Sequence, residues 1–180
     1  MAVSSFLALF RKRPASSPAD AAALAHLPAM RQFLAEIGIP TQDARLEAET
    51  FLPGILIENG GLLLDPAKLL YPGDILHEAG HLAVTPAAER TQLAGNVMAG
   101  KPEQHGTDGE EIAAMLWSYA AAQAIGVPLE IVFHPAGYRN SSQWIMENFR
   151  QGVYPGLPLL AWMGLTTAET FPSMTRWLRE

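Results

Sequence analysis

The chain contains no cysteine. That excludes a disulfide framework and a thiolate metal site, so any metal must be held by His, Asp or Glu. A cysteine-free composition fits a reducing compartment, and a cytoplasmic location is expected. Positive charge is also scarce: 12 Lys and Arg stand against 18 Asp and Glu, for a net charge of −6. Phosphate neutralisation needs clustered Lys and Arg. Arg11-Lys12-Arg13 is a weak patch of that kind, so no nucleic-acid partner is expected. No apolar run approaches the roughly 18 residues of a membrane span. Phe6 to Phe10 is short, and its charges follow it rather than precede it as in a signal peptide.

What is present suits a folded chain. Its 180 residues are 49% hydrophobic and 17% charged, enough for one domain with a substantial core. Residues 1–20 read as a flexible tail, ending in the Pro- and Ser-rich "PASSPAD", and residues 21–180 as a single domain. Asp20 suits the cap of a helix on "AAALAHL". After Pro28, Met30, Phe33, Leu34 and Ile37 recur at helical spacing, and Gly38 and Pro40 stop the helix. "GILIENGGLLLD" (Gly54 to Asp65) predicts a β-hairpin, because Asn-Gly and Gly-Gly supply the positive φ angles of a tight turn. "DILHEAGHLAV" (Asp74 to Val84) predicts a short helix, opened by Pro72 and Asp74 and ended by Thr85-Pro86. A polar loop over Glu103 to Glu110, a long Ala-rich helix ending at Gly126 and a short strand at "PLEIVFH" follow. A further helix on "SSQWIMENFRQG" would be capped by Ser141 or Ser142. Trp117, Trp144, Trp162 and Trp177 read as core anchors. The expected class is α+β, mainly helical, with a small sheet or hairpin ahead of the short helix.

That short helix carries the chemistry. Residues i and i+4 share a helix face, so His77 and His81 can aim two imidazoles at one ion. Neutral imidazole is a common zinc ligand. Glu78 lies one step round the helix, where it would take a proton from zinc-bound water. This is the division of labour in His-Glu-x-x-His hydrolases. The competing structural reading is a buried helix with two hydrogen-bonded histidines, which requires partners for three buried polar side chains. A metzincin would need Gly at 84 and His at 87, where this chain has Val84 and Ala87. A carboxylate from a later helix is then the expected third ligand. Glu111, in a stripe with Met115 and Ser118, is favoured. Glu110 is the alternative, although its spacing from Thr107 suits a capping box. Asp108 and Glu111 have the same spacing, and Asp108 is the third candidate. His134 and Tyr138, beside Gly137, are candidates for steadying an oxyanion. Tyr119 is the weaker candidate and reads as core. His105 reads as exposed and His26 as packed.

Together these pieces resemble the zincin-like metallopeptidases of the gluzincin type, and distantly the small bacterial ImmA/IrrE-type proteins. The resemblance runs from about Leu52 to Ala121. It implies a strand pair before the motif helix, here "GILIENGGLLLD" before "HEAGH". It also implies a ligand Glu on a following helix, with Ala three and an aromatic six residues later. Here these are Glu111, Ala114 and Trp117. His77, His81 and Glu111 would then be ligands of Zn²⁺ and Glu78 the base. The expected function is a zinc-dependent hydrolase, most simply a peptidase acting on a peptide or protein that adds to the edge of the 54–65 hairpin. The alternative is a non-catalytic, zinc-containing regulatory or peptide-binding protein. The oligomeric state is left open.

Overall fold

The computed structural model describes residues 22–95 and 105–180. The expectations for the 1–20 tail and for Glu103 and Gln104 lie outside them. The fold is mixed α+β. In chain order its elements are α1 (Leu27–Glu36), β1 (Thr41–Asp43), β2 (Ile55–Glu58), β3 (Gly61–Leu64), α2 (Asp74–Val84) and α3 (Ala87–Arg90). There follow α4 (His105–Ile125), α5 (Leu129–Val132), a 3₁₀ turn (Tyr138–Asn140), α6 (Ser142–Arg150) and α7 (Leu157–Trp162).

The sheet has the order β1-β3-β2. β2 and β3 form an antiparallel hairpin with Ile57 opposite Leu62 and Glu58 opposite Gly61. Asn59 and Gly60 turn it with φ of 51° and 75°, the two positive angles of a type I′ turn. β1 pairs parallel to β3. Its three residues, Thr-Gln-Asp, are half-buried or exposed, so no apolar alternation announces it in the sequence. Arg31 of α1 fastens it, through Asp43 at 2.7 Å and Thr41 at 3.2 Å.

Helix α2 is buried on every side; all eleven residues from Asp74 to Val84 are buried. The sheet, α1, α4 and α5 all pack against it, with α4 making the most extensive contact. Gly80 permits that contact. A Cβ at Gly80 would lie 2.7 Å from the Ala114 carbonyl oxygen, so only glycine lets the two backbones come this close. Ser118 bridges the same seam, donating to the Ala114 carbonyl (2.7 Å) and the Leu76 carbonyl (3.1 Å). A helix ends with four carbonyls that have no partner within it. Here all four are satisfied: His81 by Thr85 Oγ1 (2.8 Å), Leu82 by Arg90 Nε (2.9 Å), Ala83 by the Arg179 amide (2.9 Å) and Val84 by the Arg179 guanidinium (3.3 Å).

Several sequence expectations are corrected. The long helix begins at His105, inside the expected polar loop, so Glu110 and Glu111 lie in its second turn and neither capping box sits at its start. "PLEIVFH" is not a strand. Pro128 starts one helical turn, Leu129–Val132, whose backbone presses against Gly73, just ahead of α2, and so serves packing rather than a sheet edge. α6 does begin after Ser141, which occupies the N-cap position as expected, but no side-chain capping hydrogen bond forms there. The Ser142 hydroxyl donates instead to the His134 carbonyl at 2.7 Å. Of the four tryptophans, Trp117 is fully buried. Trp177 packs edge-on against it, with ring centroids 5.6 Å apart. Trp144 and Trp162 are 64% and 72% exposed and anchor no core.

Candidate metal centre

His77 and His81 project from α2 and meet Glu111 of α4, forming a group able to hold a metal ion. The two imidazole Nε2 atoms are 3.2 Å apart. His77 Nε2 lies 3.4 Å from Glu111 Oε1, and His81 Nε2 lies 3.3 Å from Glu111 Oε2. A tetrahedral ion with bonds of about 2.0–2.1 Å has ligand atoms about 3.3 Å from one another. The two imidazoles stand near that edge length, and the two Glu111 contacts run to different oxygens. With one ligand atom from each residue the set lies within 4.8 Å, so two imidazoles and a carboxylate form a donor set that could hold a metal ion. The group also sits where an ion would be shielded, since His77 and His81 are buried and Glu111 is half-buried. Glu110, one residue earlier, is exposed and outside the group.

The electrostatics suit a cation. Burial pushes the His77 pKa down to about 4, and the neighbouring His81 adds to the shift while Glu111 opposes it. The neutral ring is the form that ligates. At His81 burial also pulls downward, but the hydrogen bond to Glu111 and the charges of Glu78, Glu111 and Glu110 outweigh it, and the net shift is upward. Glu78 is only 8% exposed. Burial lifts its carboxyl to about 7; His81 opposes the shift, and Asp74 and Glu111 add to it. A carboxyl tuned to that range is a competent proton acceptor near neutrality.

Tyr138 and His134 reach this neighbourhood in different ways. Tyr138 sets its ring edge-to-face with His77, centroids 5.6 Å apart. Its hydroxyl is buried with no hydrogen-bond partner among the described residues. Burial, followed by the charges of Asp74, Glu111 and Glu78, raises its pKa well above the usual tyrosine value, so it remains a donor. Its backbone has φ of +53°, which is strained for a bulky side chain and must be held by its surroundings. His134 does not offer its ε-nitrogen to the metal group. Nε2 lies 2.9 Å from Asp74 Oδ1, and the ring stacks on Tyr71 at 3.8 Å. Tyr119 is buried away from the group, among Phe149, Tyr154 and Phe171, and His26 is half-buried. For His105 only the backbone, as the first residue of α4, is described.

Sequence reasoning missed Asp74 and Tyr71 as site residues. Asp74 reads as a helix-start residue, and nothing in one sequence links it to a histidine 60 positions away. Its place three residues before His77, on the same helix face, was the available signal.

A cavity of about 300 Å³ opens against Glu78, walled by residues 46–52, the Ile55–Ile57 stretch of β2 and Gly95. The outer edge of β2 is already engaged, because Gly95 pairs with Ile57 and its amide donates to the Ile57 carbonyl at 2.9 Å. The hairpin edge is therefore in part taken by the chain's own backbone. No helix among the described residues is long and apolar enough to cross a membrane. No protein-family model, curated protein or solved structure matches this chain significantly.

Proposed function

We propose that this chain is a zinc-dependent hydrolase, a zincin-like metallopeptidase acting on peptide or protein substrates. The observation that carries this reading is the convergence of His77, His81 and Glu111, with one ligand atom from each within 4.8 Å of the others, beside a buried carboxylate that faces a cavity. His77, His81 and Glu111 would hold the ion. Zinc bound there would supply Lewis acidity, polarising a substrate carbonyl and lowering the pKa of water. The lack of cysteine fits work in a reducing compartment such as the cytoplasm.

The chain's own residues divide the remaining work. Glu78 accepts a proton from the attacking water and returns it to the leaving amine. One bond forms between water oxygen and carbonyl carbon, and the carbon–nitrogen bond breaks, giving a carboxylate and an amine. Tyr138 donates its unpartnered hydroxyl to the oxygen that gains charge, a contact that strengthens as the charge develops. His134 acts by positioning. Through Asp74 it ties the segment carrying Tyr138 to the first turn of α2.

The test is Glu78→Gln, which preserves shape and removes the base. Zinc content should remain at wild-type stoichiometry, while cleavage of a mixed peptide digest should fall by about 10²–10⁴-fold. Undiminished turnover in a zinc-loaded Glu78→Gln protein would sink the mechanism.

A further inference from the structure

The cavity beside Glu78 has a consistent chemistry. Its floor is apolar, formed by Leu46, Leu52, Ile55 and Ile57, of which Leu46, Ile55 and Ile57 are buried. Its rim is acidic: Glu47 and Glu49 are both exposed, and no Lys, Arg or His is among the described residues that line the cavity. Glu47 shares its charge with Arg45 at 3.2 Å, but both side chains are more than 80% exposed, and such pairs are weak. No ion pair engages Glu49 among the described residues. Phe51, 45% exposed, lies on the same rim.

The wall is built rather than loose. Asp65 Oδ2 accepts the Leu46 amide at 3.0 Å, Lys68 donates to the Leu46 carbonyl, and Thr50 Oγ1 donates to the Leu52 carbonyl at 2.6 Å. At the inner end stands Glu78, nine-tenths buried and part of the cavity lining.

We infer that this cavity is a specificity subsite for a basic side chain, lysine or arginine, of the substrate peptide. This rests on the hydrolase reading above and adds the substrate class to it. A long aliphatic stem ending in a cation suits an apolar floor with an acidic, solvated rim, because such side chains bury the stem and keep the charge in water. Phe51 adds a ring face for the cation. A large neutral side chain would satisfy the floor but leave the rim charge unused, and an acidic one would be repelled.

The experiment uses the full-length, zinc-loaded Glu78→Gln protein, so that binding is read without turnover. The probes are three blocked pentapeptides, Ala-Ala-X-Ala-Ala, with X as lysine, norleucine or glutamate, titrated by calorimetry. Lysine should bind on the order of fivefold tighter than norleucine, the size expected of exposed charge pairs, and glutamate weakest. The double substitution Glu47→Gln with Glu49→Gln should erase the lysine preference and leave norleucine binding unchanged. Equal or tighter binding of norleucine, a preference that survives the double substitution, or no peptide binding up to millimolar concentration would each overturn the subsite. The two readings separate cleanly. Selective lysine binding without cleavage by the zinc-loaded wild type would remove the hydrolase and keep the subsite. Cleavage with no charge preference would do the reverse.

Discussion

At the scale of single residues, the divide between what one sequence reveals and what it hides is a divide between local and long-range geometry. His77 and His81 are legible because four residues bring a helix back to the same face. The stripe with Met115 and Ser118 and the capping-box spacing of Glu110 together favour Glu111, and it is Glu111 that meets the two imidazoles. The Asp74–His134 contact was hidden because it closes over 60 residues. Tyr138 shows what such closure can hold: a tyrosine at φ +53° with its hydroxyl buried and unpartnered. Leaving a buried hydroxyl unmatched costs about 1–3 kcal/mol, so its presence points to use rather than stability. Tyr138→Phe should therefore lower turnover by about 10²-fold while zinc content stays constant and thermal stability holds or rises. Kinetics and melting of the same preparation check this. A fall in stability with unchanged turnover would make Tyr138 a structural residue.

At the scale of elements, the seam between α2 and α4 governs the site, because it sets how far the two imidazoles stand from the carboxylate. Glu111 lies one turn before Ala114, and Ala114 is the residue whose carbonyl crowds Gly80. Glycine in a helix interior is ordinarily about 1 kcal/mol worse than alanine, so Gly80→Ala would stabilise an isolated helix. In this fold the added methyl meets backbone at 2.7 Å, and α4 must retreat. The expected result is a loss of about 1–3 kcal/mol, the usual range for overpacking, together with weaker zinc binding, since Glu111 retreats with its helix. Thermal melts in chelator isolate the first effect, and zinc titration reads the second. A variant as stable as wild type with full zinc affinity would show that the close approach is not what sets the ligand spacing. The hairpin and α2 were legible from Asn59-Gly60-Gly61 and from Thr85-Pro86, because turn and stop signals act locally. β1 and the turn at Leu129–Val132 were not. Their conformations depend on β3 and on Gly73, which recruit them from a distance.

At the scale of the whole molecule, the site depends on segments that carry none of its ligands. The chain end covers the carbonyls of α2 through Arg179, and the cavity wall hangs from Asp65 at the end of the hairpin. Hydropathy marks neither, because each is a polar contact between segments that look unremarkable alone. Asp65 also links the wall to pH. The Leu46 amide, then the Ala67 amide and the charge of Lys68, hold its carboxyl below the usual 3.8 against an opposing effect of burial. A carboxylate whose folded pKa lies below its unfolded value binds fewer protons in the native state, so stability rises with pH across that interval. The contribution is complete above the ordinary aspartate range and is lost as pH falls through the lower folded value. Asp65→Asn removes the charge and one of the two acceptor oxygens that serve Leu46 and Ala67. The variant should melt below wild type near neutral pH, and the gap should close as acid is added below about pH 4. Paired melting curves from about pH 7 to about pH 3 measure this. A gap independent of pH would mean that Asp65 holds the wall by shape alone and that its charge does not contribute.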